Sequence, residues 1–165
     1  MEVYIIDLSN LEETERFGIA IGKLASPGDV LCLDGDLGAG KTTLTQAIAV
    51  GLEVPGEYYV TSPSFAIFHE YPGRLPLYHM DFYRLGDYTE VEDLGFDEYF
   101  YLSGITVIEW SERAMELLPD TSLKINLAVV TEMKRKLTLS FSDSQWHKKL
   151  EVIASQAGLR LEKTE

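Results

Sequence analysis

At 165 residues, 45% of them hydrophobic and 25% charged, the chain has the length and balance of one globular domain with its own core. A formal net charge of −13, from 27 acids against 14 Lys and Arg, argues against free nucleic acid as a direct partner, because holding phosphates takes a basic surface. No apolar run approaches the roughly 20 residues that cross a bilayer, Met1 to Asp7 lacks a signal-peptide pattern, and the lone Cys32 excludes an internal disulfide or a Cys-rich metal site, so a cytoplasmic protein without membrane contact is expected.

Val3 to Leu8 is predicted as a strand, and Ser9-Asn10-Leu11-Glu12 has capping-box spacing that opens a helix to about Ala25. Pro27-Gly28-Asp29 turns the chain into Val30-Leu-Cys-Leu-Asp34, a short apolar run of the kind that forms a buried parallel strand, with Cys32 as a small core residue. Thr43 to Gly51 has helical spacing, and Val54-Pro55-Gly56 breaks it. Phe65 to Tyr71 and Leu77 to Phe82 are strand-like runs joined by the hairpin signal Pro72-Gly73-Arg74. A short helix is expected over Phe96 to Tyr101, a buried strand over Ile105 to Ile108, and a helix over Glu112 to Leu118 that stops at Pro119. Ser122 to Val130 and Lys136 to Phe141 alternate as a second hairpin. A last helix gathers Trp146, Leu150, Ile153, Ala154 and Ala157 on one face and stops at Gly158.

Between the second strand and the second helix lies Gly35-Asp-Leu-Gly-Ala-Gly-Lys-Thr-Thr43, whose spacing Gly35-x4-Gly40-Lys41-Thr42 fits the phosphate-binding P-loop. Its glycines let successive backbone N–H groups curl toward phosphate oxygens, and the helix that follows aims its positive end at them. Lys41 is expected to reach the β- and γ-phosphates and the Thr42 hydroxyl to hold Mg²⁺. With strand and helix on either side, the loop implies a nucleoside triphosphate. The whole chain, 1–165, is expected to be one α/β domain of the P-loop NTPase fold: a mixed sheet with a parallel core, antiparallel strands, and helices on both faces.

A P-loop needs a second acid near its magnesium, and Glu109 supplies one at the carboxyl end of the Ile105–Ile108 strand. In His79-Met-Asp81-Phe-Tyr83-Arg84 the alternate residues His79, Asp81 and Tyr83 share a face. Asp81 is a candidate to orient or deprotonate the attacking water. An Asp81–Arg84 ion pair and a half-buried strand histidine are the plainer readings of this cluster. Thr61-Ser62-Pro63-Ser64-Phe65 is either a hydroxyl-rich turn or a segment that carries a hydroxyl to the γ-phosphate and moves when it leaves. Between Leu85 and Glu112 there is no Lys or Arg among eight acids, which reads as a solvated face or as a docking surface for a basic partner.

The set formed by the P-loop, Thr61-Ser-Pro-Ser-Phe65, His79-x-Asp81-x-Tyr83-Arg84, the acidic stretch from Glu90 to Glu98, and Ile108-Glu109-Trp110-Ser-Glu112 resembles the TsaE (YjeE) family in matching order from about Asn10 to Arg113. That resemblance implies a P-loop ATPase required for threonylcarbamoyladenosine at position 37 of tRNAs that read ANN codons. It implies ATP at Asp36, Leu37, Gly38, Ala39, Gly40, Lys41, Thr42 and Thr43, and Mg²⁺ at Thr42 and Glu109. It also implies catalytic roles for Lys41 and Asp81, Trp110 near the nucleotide, and adenine contact around Leu11. Thr61-Ser62 matches the family's switch-like segment. Family members are weak ATPases alone and act with a TsaD–TsaB pair, so tRNA enters only through that complex. A small-molecule kinase would need an arginine-rich insert, absent from 85–112. A GTPase would need an Asn-Lys-x-Asp segment, which the chain lacks, while a nucleotide-locked scaffold remains open from sequence.

Overall fold

A computed structural model describes residues Met1–Glu165. Eight strands form one sheet: β1 (Glu2–Leu8), β2 (Val30–Gly35), β3 (Phe68–Tyr71), β4 (Leu77–Asp81), β5 (Ile105–Glu109), β6 (Leu123–Val129), β7 (Arg135–Phe141) and β8 (Glu162–Lys163). Their order is β3-β4-β5-β2-β6-β7-β1-β8. The central four, β4, β5, β2 and β6, are mutually parallel, and the pairs outside them are antiparallel. The helices are α1 (Leu11–Leu24), α2 (Lys41–Gly51), α3 (Tyr88–Asp93) and α4 (Gln145–Ala157), with 3-10 turns over Phe96–Tyr101 and Ser111–Leu117.

The side-chain period of two assigns each strand to two cores. Leu31 and Leu33 of β2 face a large cluster with α1, α2 and α4, and Val30 and Cys32 face a smaller one on the opposite side with Val91 of α3 and Phe100. Strands β4, β5 and β2 are therefore covered on both faces: every residue of β4 and β5 and Val30 to Leu33 of β2 are buried, with polar side chains gathered mainly toward the carboxyl ends. The wing alternates instead: Tyr4, Ile6 and Leu8 of β1 are buried and Ile5 and Asp7 are not. The mixed sheet, the parallel centre and the helices on both faces are as expected from sequence. Burial pushes the Cys32 thiol up to about 12, so it serves as a small core residue.

Several local expectations shift. The cap of α1 is Asn10, one residue after the predicted Ser9: its side chain accepts from Glu13 N at 3.0 Å, while Glu13 reaches back to Ser9 N at 2.6 Å. The first hairpin strand starts at Phe68 rather than Phe65, because Ile67 sits at φ 70°, where a β-branched residue cannot continue a strand. The predicted helix over 112–118 is a 3-10 segment broken at Ala114. Helix α3 and strand β8 are not foreshadowed by any sequence pattern.

Two features fix α1, against which the helix that follows the P-loop packs. Helix α2 crosses α1 at glycines, where a Cβ on Gly22 would stand 2.2 Å from Ile48 O, so only glycine fits. Arg74, in the β3–β4 turn, donates from one guanidinium nitrogen to the carbonyls of Gly22, Lys23 and Ala25, which satisfies orphan acceptors at the end of α1.

Candidate functional site

The loop between β2 and α2 has the backbone that its glycines predict. Gly35, Gly38 and Gly40 have φ of 147°, 81° and 111°. At Gly35 a Cβ would also come within 2.5 Å of Leu127 O, so this position tolerates no side chain. Gly40 opens α2 with no side chain to cap it. The first-turn N–H groups therefore face the loop's concave side, the arrangement that receives anions. Ala39 turns its methyl into the large core. Its carbonyl accepts from Arg135 Nε at 2.9 Å. Arg135, at the start of β7, also donates to the carbonyls of Thr131, Glu132 and Lys134, so it staples the P-loop to the β6–β7 turn.

A cleft of about 650 Å³ opens beside this loop at the carboxyl end of the parallel strands. Leu37, Gly38, Gly40, Lys41, Thr42 and Thr43 line it from the P-loop, Ser62 and Ser64 from the following segment, and Asp81, Tyr83, Arg84, Glu109 and Trp110 from the ends of β4 and β5. Asp36 borders a second cavity, of about 370 Å³, with Asp34, Glu112 and Asn126; Lys41 and Trp110 line both. Leu11 is 56% exposed and stands outside both linings, although β1 ends on the same edge of the sheet as the P-loop.

Lys41 is buried, donates from Nζ to Gly35 O at 2.5 Å, and lies 4.7 Å from the centre of the Trp110 ring. Trp110 takes a left-handed backbone, φ 58°, which is costly for a bulky residue and re-aims its side chain toward the cleft, where Tyr83 packs 4.9 Å away. Asp81 is buried. One of its oxygens accepts from Ser62 Oγ at 3.0 Å and the other from Tyr83 N at 2.9 Å. Glu109, directly opposite it on β5, accepts from His79 Nε2 at 2.8 Å. Asp81 forms no ion pair with Arg84, which lies over the Phe65 ring at 4.1 Å instead. Tyr83 falls beyond the end of β4, so the expected three-residue face reduces to His79 and Asp81.

The family described as Threonylcarbamoyl adenosine biosynthesis protein TsaE matches residues 8–137. The chain belongs to the TsaE family. It is 46% identical over 132 residues to the tRNA threonylcarbamoyladenosine biosynthesis protein TsaE of Bacillus subtilis, covering 79% of this chain and 81% of that one. The protein of the same name in Treponema pallidum is 40% identical over 129 residues, 78% of this chain and 94% of its own. The crystal structure of Bacillus subtilis YdiB superposes with a TM-score of 0.80 at 36% identity, covering 94% of this chain and 97% of that one. The TsaE family works in threonylcarbamoyladenosine biosynthesis, and the shared architecture is the P-loop fold. No helix of this member is long and apolar enough to cross a membrane.

Two interactions of this TsaE-family site escape a reading of motifs. Arg135 lies 96 positions from the carbonyl it braces. Ser111, the residue after Trp110, donates from N at 3.3 Å and from Oγ at 3.0 and 3.2 Å to Asp34 at the end of β2, 77 positions away, and so pins the strained Trp110 turn. Burial raises the Asp34 carboxyl above its ordinary range, the charge of Glu112 adds to this, and the Ser111 hydroxyl opposes it. An acid whose folded pKa lies above its unfolded value weakens the fold as pH rises between the two, and the penalty is complete above the higher. Asp34→Asn, which keeps an acceptor for Ser111, is therefore expected to raise Tm by a few degrees at neutral pH. The gain should vanish below the ordinary value of 3.8. Melting curves across that range check it.

Proposed function

We propose that this chain is a Mg²⁺-dependent ATPase, weak alone, that acts in the cytoplasm. It drives turnover of a TsaD–TsaB-like complex making threonylcarbamoyladenosine at position 37 of ANN-decoding tRNAs. The observation that carries this is the convergence, in one cleft, of the P-loop with two buried carboxylates from adjacent strands. Lys41 offsets phosphate charge, and the loop and α2 N-terminus bind the phosphates through backbone N–H groups. The Thr42 hydroxyl and Glu109 carboxylate are hard oxygen donors suited to magnesium. No group of three or more His, Cys, Asp or Glu side chains offers a metal cage, which suits an ion that takes most of its shell from phosphates and water. The ion would neutralise charge developing on the transferred phosphoryl group. Asp81, held by two hydrogen bonds, is placed to orient or deprotonate the attacking water.

The acidic stretch supports a protein partner and an indirect role for tRNA. Asp87 is committed to α3, since its carboxylate accepts from Thr89 N at 2.9 Å. Glu92, Asp93 and Glu98 are exposed, and neither they nor Asp97 join an ion pair. Their apolar neighbours Val91 and Phe100 anchor the segment in the smaller core, so the acids sit on a fixed surface. The test is ATP hydrolysis measured alone, then with TsaD, TsaB and tRNA. Turnover is expected to rise with the complex and to lose that rise at high salt. Reversing Glu92, Asp93 and Asp97 to Lys should weaken docking while leaving ATP binding by the isolated subunit unchanged. A triple variant that joins the complex normally assigns these acids to solvation alone.

A further inference from the structure

In β4 the residues on one face run Leu77, His79, Asp81, and in the paired β5 they run Ile105, Val107, Glu109, in register Leu77↔Ile105, His79↔Val107 and Asp81↔Glu109. Both ladders pass from apolar to acidic as they approach the cleft. His79 is wholly buried among them, a costly place for an imidazole. Its Nε2 meets Glu109 Oε2 at 2.8 Å, and its Nδ1 is buried with no protein partner. A ring with one proton carries it on Nε2, where an acceptor waits, and leaves the lone pair on Nδ1. An apolar ring in its place would forfeit this bond and leave a buried carboxylate oxygen without a donor. Glu109 has no other side-chain donor. It also stands opposite a second carboxylate, a pairing that adjacent strands disfavour unless something fixes the acids.

Resting on the site reading above, we propose that His79 is a positioning residue. Its Nε2–H holds one oxygen of Glu109 so that the other oxygen is presented to the magnesium ion accompanying the nucleotide. Partners of this kind, which touch neither metal nor substrate, fix the orientation of metal-binding carboxylates, and losing them costs roughly 10- to 100-fold in metal affinity.

The test compares His79→Phe, which fills the space without a donor, with His79→Gln, which restores an N–H. The probe is a fluorescent ATP analogue bound at increasing Mg²⁺, and the readout is the Mg²⁺ concentration that half-saturates the gain in nucleotide affinity. For His79→Phe this concentration is expected to rise at least about tenfold while affinity in the absence of Mg²⁺ stays at the wild-type level; His79→Gln should recover most of the loss. If His79→Phe keeps the wild-type Mg²⁺ requirement, or if affinity falls equally with and without Mg²⁺ in both variants, the inference is overturned alone. If nucleotide binding by the wild type ignores Mg²⁺, the site reading falls and takes the inference with it. A measurement on the unaltered protein covers the case in which His79→Phe fails to fold. With only three histidines in the chain, ¹⁵N-histidine spectra should show that the buried ring carries a proton on Nε2, with a signal that shifts when Mg²⁺ is added to the nucleotide-bound protein. A buried ring with no proton on Nε2, or one indifferent to Mg²⁺, contradicts the proposal.

Discussion

Lys41→Ala is expected to reduce ATP affinity by about 100-fold or more, equivalent to roughly 3 kcal/mol at 1.4 kcal/mol per factor of ten, and to abolish turnover. The ammonium is buried at the base of the cleft among the acids Asp36, Asp81, Glu109 and Glu112, and Arg84, just past the end of β4, is the other cation in the lining. Removing it leaves a polyanionic ligand facing those acids with only backbone N–H groups and Arg84, already engaged over the Phe65 ring, to compensate. The fold should survive. Alanine gives up one hydrogen bond to Gly35 O and the approach of the ammonium to the Trp110 ring, which together amount to about 1–3 kcal/mol. Calorimetric titration with ATP and Mg²⁺ measures the affinity, and a melting curve on the same sample shows whether the variant is folded. Wild-type affinity and turnover in folded Lys41→Ala contradict the phosphate-binding role.

Asp81→Asn should separate binding from hydrolysis. The change keeps the shape, lets the amide oxygen accept from Tyr83 N, and lets the amide nitrogen donate to Ser62 Oγ in place of the present bond. It removes the charge and the basicity. Loss of a positioned base costs typically 10²–10⁴-fold, so turnover is expected to fall by about 10²-fold or more with ATP affinity nearly unchanged. A variant that melts early yet hydrolyses normally while folded assigns Asp81 to structure instead.

The parts of the molecule legible in its sequence are those set by local rules. Gly35, Gly38 and Gly40 announce their positive φ by being glycine at P-loop spacing, and the buried parallel strands announce themselves as apolar runs ending in acids at Asp81 and Glu109. The order of the site along the chain follows, because strand ends and loop are all on one edge of an α/β sheet. What stays hidden depends on interactions between distant positions. Nothing near His79 says that its partner is 30 residues away. Arg135 looks like a surface cation of a hairpin until β7 places it against Ala39 O. Asp34 looks like the end of a strand until Ser111 reaches it. The shortened β3 is the opposite case, where propensity favours a longer strand and a tertiary constraint at Ile67 prevails. Helix α3 is illegible because its six residues show one buried apolar position, Val91, too few to carry a period.

The most direct measurement of the central claim uses purified TsaD and TsaB, substrate tRNA, ATP and this protein, and counts threonylcarbamoyladenosine formed per complex over time. With the wild-type chain, product should accumulate through many rounds. With Asp81→Asn, first shown to bind ATP normally and to hydrolyse it poorly, product should stop at about one round per complex. Sustained wild-type accumulation with that variant would contradict the account, because ATP binding alone would then suffice and hydrolysis in this cleft would drive nothing.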